Sequence, residues 1–474
     1  MAIRSQALRG SLFWEHASTT AFIAASSAML SWVALFNGAP LVFPDTASYA
    51  TAAYLGEIPG MFSVFYSIFI LPLHQGITLW PVVLAQGALL AHLIYLVVRC
   101  VTGGLAGKAE TLLIVAALSF FSGLPWFTGQ IMPDVFSAVV ILGFFLLAFC
   151  TDRLGRGEVL YVSVLTAAGI ATHLSHVPIA LGLIVLCGAL WPMFAPRRIG
   201  IWRRTALLLI PFLLALCSML AVNWINSRDV VLARNSNVFL LAKLIEEGPA
   251  HDYLAHACPD ARYSLCPYLD ELKGQSQDGL KWSGGSPFYK VGGFDRLEPE
   301  ARSIVWATLR AYPLQILHGA MRNAGRQLLH FEIGEGLSPD SLRLVNLYIG
   351  KVFGPDVEQS LVRSKQADGR LPIAEFRSLH RAGLLLGGAL VLWSLLAVGQ
   401  RLPGRLVALY VFIGAAALWN VVVTSALSGP FDRYLARIIW LVCFPGLVGL
   451  CHMARLRGRA IGIPLFQSIR RGDP

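Results

Sequence analysis

Ten runs of mostly apolar residues, each near the roughly 20 needed to cross a bilayer, govern what this chain can fold into. They cover 18–38, 77–98, 111–129, 134–150, 159–173, 177–195, 205–226, 382–399, 406–428 and 435–453. Of its 474 residues 56% are hydrophobic and only 14% charged, whereas a soluble domain carries about 25% charged residues. Such a chain needs lipid as its solvent, which excludes ordinary cytosolic, fibrous and disordered classes. The expected fold is an all-α polytopic membrane protein with about ten transmembrane helices. The stretch 159–196 has no Lys, Arg, Asp or Glu. As one helix it would run about 57 Å, far beyond a bilayer core, so it is divided at Thr172–Pro178.

The net charge of +11 raises the question of nucleic acid, and its placement answers it. Residues 228–381 hold 19 basic and 18 acidic side chains, so the surplus lies in the short segments between apolar runs. With the N-terminus inside, the cytoplasmic segments carry Arg4, Arg9, Arg99, Lys108, Arg153, Arg156, Arg197, Arg198, Arg203, Arg204, Arg401, Arg405, Arg455, Arg457, Arg459, Arg470 and Arg471. The short outer segments carry only Arg433 and Arg437. This is the positive-inside pattern. It places both termini in the cytoplasm of a bacterial-type inner (plasma) membrane and excludes a nucleic-acid partner. The basic stretch Met1–Gly10 is read as the lead into a first span, with a signal peptide as the alternative.

Three units follow. Residues 1–227 form an N-terminal membrane module of about seven spans with a long first outer loop, 39–76. Residues 228–381 form an extracytoplasmic, α-rich insert between spans seven and eight. Residues 382–474 form a C-terminal module of about three spans with a basic tail. Within the first loop Met61–Gln75 is apolar but short and broken by Pro72, which suits an interfacial or re-entrant segment. In the insert, 300–330 mixes apolar and basic residues, fitting either a membrane surface or an ordinary amphipathic helix. Cys258 and Cys266 lie in the insert and can close a disulfide in an oxidising compartment. Metal binding with His251 and His256 is the alternative. The other six cysteines lie in or beside apolar runs, as small hydrophobes.

Ionisable groups at membrane depth are costly, and they point to function. Asp45 follows the first span in Phe43-Pro44-Asp45-Thr46-Ala47-Ser48-Tyr49, Glu57 lies further along that loop, and Asp134 opens the fourth span after Pro133. An acid at a helix start also interacts favourably with the helix dipole. His173 and His176 share the turn between spans five and six, His74 ends the interfacial segment, and Arg433-Tyr434 precedes the last span. A carboxylate can deprotonate an acceptor hydroxyl, and cationic donors can hold a leaving phosphate. No Walker, HExxH or GxSxG pattern occurs in a supporting context, so no nucleotide cofactor is expected.

With these features the chain resembles the GT-C superfamily of integral-membrane glycosyltransferases. The likeness rests on Asp45 in a long first outer loop, the short apolar segment within that loop, Asp134 after the third span, the large insert after the seventh and Arg433-Tyr434 before the last. It departs from the superfamily in lacking an Arg within 57–66 and an Asp-x-Asp pairing. The resemblance implies an inverting transfer of a sugar from a polyprenyl-phosphate donor to a lipid or polysaccharide acceptor on the extracytoplasmic face. Asp45 would then be the acceptor-activating base, with Asp134 in support. A divalent metal, Mg or Mn, would fall to Asp45 or Asp134 if one is used. Glu57, Tyr49, His74, His173, His176, Arg433 and Tyr434 are the expected substrate-binding side chains. A glycan polymerase or ligase with Arg234, His251, His256 and Arg262 in its large loop, or a flippase for lipid-linked glycans, is the alternative.

Overall fold

The computed structural model describes residues 2–194, 196, 199–258, 260–398 and 402–460. Arg197, Arg198, Arg401, Arg470 and Arg471 of the inner-face set lie outside the described residues. Among the described residues the chain is helical, with no strand. Six helices are long and apolar enough to cross a membrane, and the chain is a membrane-embedded one. They are Trp80–Val101, His176–Phe194, Ile201–Ser227, Ile373–Leu396, Gly404–Leu427 and Asp432–Leu456.

The other four expected runs are shorter or broken. The first helix, α1 (Ala2–Leu30), ends at Ser31, and one turn-rich piece, Trp32–Asn37, continues it to Gly38. The run 111–129 breaks at Ser122-Gly123 before Leu124–Thr128, where Pro125 cannot extend a hydrogen-bonded helix. The run 159–173 ends with the helix Arg156–Ala171, and the next begins at His176, so the long charge-free stretch is divided where its length required. The run 134–150 is α3 (Val135–Phe149), about 22 Å long. Every residue of α3 is buried, so its all-round apolarity is met by other helices and not by lipid. Around it pack Trp80–Val101, Arg156–Ala171, His176–Phe194 and Ile201–Ser227.

Lipid-facing helices show the opposite pattern. On Ile201–Ser227, Ile210, Leu213 and Leu214 are exposed, as are Leu385, Leu386 and Leu396 on α5 (Ile373–Val398). The last helix, α6 (Asp432–Ala460), lies close against α5. A Cβ added at Gly387 would come 2.6 Å from the Cα of Cys443, and one added at Gly446 would come 2.6 Å from the Gly387 carbonyl. Small residues at these points let the two backbones approach, as is common between membrane helices.

The insert does not form one unit with one core. Val238, Leu241, Leu254, Leu280, Phe288, Leu297 and Ile304 make a separate small core. Further along, Leu342, Val345, Ile349 and Phe353 belong to the main core of the membrane bundle. The expected helical stretch 300–330 is two helices, Phe294–Ala311 and α4 (Pro313–Gln327), broken at Tyr312-Pro313. Cys258 and Cys266 are joined as a disulfide, with their Cα atoms 5.4 Å apart.

Candidate functional site

A single backbone pairing brings the two principal acids together. The Leu41 N–H donates to the Gly129 carbonyl (2.9 Å), and the Ile131 N–H donates to the Leu41 carbonyl (3.0 Å). This parallel bridge joins Leu41 to Gln130. Four residues beyond each partner the chain reads Pro44-Asp45 and Pro133-Asp134. Each aspartate sits at the start of a helix, α2 (Thr46–Leu55) for Asp45 and α3 for Asp134. Side chains lock the register. The Thr46 hydroxyl donates to the Ile131 carbonyl (3.0 Å). The Gln366 amide exchanges two bonds with the Val42 backbone, at 3.1 and 2.7 Å. Buried Gln86 donates to the carbonyls of Thr128 and Gln130, both at 2.9 Å.

The first two turns of α6 supply the countercharge. Arg437, fully buried, donates from Nη1 to Asp134 Oδ1 (3.1 Å), and its Nη2 reaches Asn420 Oδ1 (3.3 Å) and Ser175 Oγ (3.4 Å). Arg433, one turn earlier, lies between the acids: Nη1 is 4.0 Å from Asp45 Oδ2, and Nε is 4.0 Å from Asp134 Oδ1. Its guanidinium stacks over Phe43 (4.2 Å) and near Tyr434 (5.3 Å). Among the described residues neither Nε nor Nη1 has a hydrogen-bond partner. A guanidinium offers five donors and is costly to leave under-used when buried. Arg433 is thus held beside both carboxylates by charge.

The two acids are not equivalent. The Asp134 side chain is 2% exposed and the Asp45 side chain 43%. Asp134 is the buried counter-ion of Arg437. Asp45 is the reachable carboxylate. Desolvation raises its pKa above the ordinary carboxylate value, the Arg433 charge opposes that rise, and Asp134 adds to it. The insert contributes as well. The charge of Lys281 also lowers the Asp45 pKa. This lysine packs between the rings of Phe239 (5.3 Å) and Trp282 (5.8 Å), with Asp278 3.1 Å away. Its helix, Gln277–Trp282, docks on the turn before α6 through Gln277 Nε2 to the Ser428 carbonyl (3.0 Å). Glu335 Oε2 accepts the Arg433 backbone N–H (2.8 Å).

The remaining expected residues divide. Tyr49, one turn past Asp45, is buried against Phe62 (4.5 Å) and Tyr66 (5.5 Å), so its ring lines the acid pair from below. The Tyr434 ring stands beside both guanidiniums, while its hydroxyl is engaged with Ser428 Oγ (2.9 Å). His173 Nδ1 accepts from the Ser175 N–H (3.2 Å) and hydroxyl (2.8 Å), which connects it to Arg437 through Ser175. His176 departs from the expected phosphate-binding role. Its Nδ1 donates to the Gly169 carbonyl (2.7 Å) and its Nε2 accepts from Ser137 Oγ (2.8 Å). Both nitrogens are committed to bracing helices. Glu57 also departs, because the whole of α2 separates it from Asp45, about 15 Å at helical rise; its side chain is exposed. His74 lies at the far end of the helix Phe65–His74, against Phe353 (5.0 Å), with burial lowering its pKa to about 4.

Of the loop residues considered for a ligase, Arg234 donates to the Ile58 carbonyl (3.3 Å) and His256 Nδ1 contacts the Asp252 carbonyl (2.8 Å). Neither makes a described contact with the acid pair. Among the described residues no three His, Cys, Asp or Glu side chains converge as a metal site would require. Asp134 has an arginine at the position a cation would take. Arg437 was foreseeable as an outer-face basic residue. Lys281, Glu335 and Asn420 carried no sequence signal, since only tertiary folding brings them here. Comparison with protein-family models, curated proteins and solved structures finds no match to this chain.

Proposed function

We propose that this chain is a membrane-embedded, GT-C-type glycosyltransferase that moves a sugar from a polyprenyl-phosphate donor to a lipid or polysaccharide acceptor. The observation carrying this reading is Arg433, poised between Asp45 and Asp134 with two buried nitrogens that have no hydrogen-bond partner among the described residues. Asp45 takes the proton of an acceptor hydroxyl. The hydroxyl oxygen attacks the anomeric carbon, the bond from that carbon to the phosphate oxygen breaks, and polyprenyl phosphate leaves on Arg433. Attack opposite the leaving group inverts the anomeric centre. Partial desolvation and the nearby Asp134 charge raise the Asp45 pKa, which makes it a stronger base than a fully solvated carboxylate. Asp134 and Arg437 hold Arg433 in place and do not react.

The same reading gives ten spans, both termini cytoplasmic, and the acid pair facing the outside, with residues 228–381 over it. A lipid-linked donor suits that side of the membrane, where nucleotide sugars are not supplied. The test is transfer from radiolabelled polyprenyl-phosphate sugars to endogenous membrane acceptors, with wild type and Asp45→Asn compared at equal folded amounts. Label should appear with wild type and be lost with Asp45→Asn. Full turnover by Asp45→Asn would sink the base assignment. Label from diphosphate-linked oligosaccharides alone would replace the reading with a ligase.

A further inference from the structure

A second charged cluster lies near the start of α5, apart from the acid pair. Arg377 and Arg381, one turn apart on α5, both reach Glu332 in the segment leading out of α4, and the Arg377 Nε–Glu332 Oε2 distance is 3.1 Å. Arg377 Nε also donates to the Ile333 carbonyl (2.9 Å). Two guanidiniums against one carboxylate leave a surplus positive charge. His380 sits between them in sequence, and neither of its ring nitrogens has a hydrogen-bond partner among the described residues.

The same groups lie beside Phe331, Leu384, Ile439 and Trp440. Both arginines are on α5, the most exposed of the six long apolar helices. Leu385 is 75% and Leu396 77% exposed, which in a membrane means contact with lipid. Leu385 and Leu396 lie about one and about four turns along α5 from Arg381, which puts a basic side chain at the end of an apolar stripe.

We propose that Arg377 and Arg381 bind the phosphate of an anionic phospholipid of the surrounding leaflet, with an acyl chain laid along the exposed face of α5 over Leu385 and Leu396. Arginine forks match phosphate oxygens in geometry and charge. Glu332 competes for the same guanidiniums and sets how tightly the lipid is held. This assignment is independent of the glycosyltransferase reading, because it uses none of the same side chains.

Native mass spectrometry of the full chain in detergent, titrated with phosphatidylglycerol, phosphatidylcholine or inorganic phosphate, tests it. Phosphatidylglycerol should be retained in preference to phosphatidylcholine, and inorganic phosphate should not displace it. Since one basic residue near an anionic lipid is worth about 1 kcal/mol, Arg381→Gln should weaken retention about fivefold. Glu332→Gln should strengthen it, an opposite change that misfolding would not produce. Equal retention of the two phospholipids, or wild-type retention by Arg381→Gln, would overturn the proposal. Displacement of phosphatidylglycerol by an equimolar polyprenyl phosphate would also overturn it, by making the arginine pair a substrate lane.

Discussion

Asp134 and Arg437 illustrate how an ion pair can be costly to break without being strongly stabilising to make. Taking two charges out of water is expensive, and the pair recovers that cost through its hydrogen bonds. Replacing Arg437 by Met leaves the buried carboxylate of Asp134 with only the longer contact to Arg433, and we expect a loss of about 3 kcal/mol. Thermal unfolding in detergent measures it, and the double variant Asp134→Asn/Arg437→Met should recover part of the loss. His176→Phe removes two buried hydrogen bonds and should cost about 1–3 kcal/mol while transfer per folded molecule is unchanged; a selective loss of activity would contradict the bracing role. Asp45 carries a pH signature. Desolvation raises its pKa above 3.8, so the active, ionised form is lost as pH falls through that raised value. The acid limb of the transfer rate should therefore lie above the ordinary carboxylate range. Lys281 opposes the rise, so Lys281→Met should move the limb to still higher pH. Asp45 and Arg433 were legible in the sequence because they break an otherwise uncharged or wrongly charged segment. His176 was misread because sequence cannot show that Ser137 and Gly169 occupy both its nitrogens.

The helices themselves follow from apolar runs that have few other folded states open to them. What the runs do not reveal is whether a helix faces lipid or protein. Val135–Phe149 and Ile201–Ser227 are both strongly apolar, yet one is enclosed and the other largely exposed. That difference is decided by neighbours, and it explains why a 15-residue helix suffices at the centre. Close helix pairing has its own test. Gly387→Val should force α5 away from Cys443 on α6 and destabilise the bundle by about 1–3 kcal/mol through overpacking, read as a lowered unfolding temperature. In the insert, the Cys258–Cys266 bond closes a short loop at the edge of the small core. Replacing both cysteines by Ser should cost up to about 2.5 kcal/mol on the chain-entropy account. Hydrogen exchange should show the loosening confined to residues near 236–305, while the membrane helices keep their protection.

At the scale of the whole molecule, the charge distribution and the acid pair make one joint statement about sidedness. Cysteines introduced at Glu57 and Arg156, both exposed, should react with an impermeant maleimide from opposite faces of the membrane. Glu57 should label from outside in intact cells and Arg156 only after permeabilisation. Labelling of both from one side would invert or discard the ten-span reading. The pairing of Asp134 with Arg437 also reaches into biosynthesis. The partners are 303 residues apart, and at about 5–20 residues per second of translation the acid waits on the order of 15–60 s for its arginine. During that interval the nascent chain holds an uncompensated carboxyl in the segment that becomes its innermost helix. A message truncated before the last helix would leave that wait unended, and its product should be cleared by quality-control proteases while the full-length protein persists.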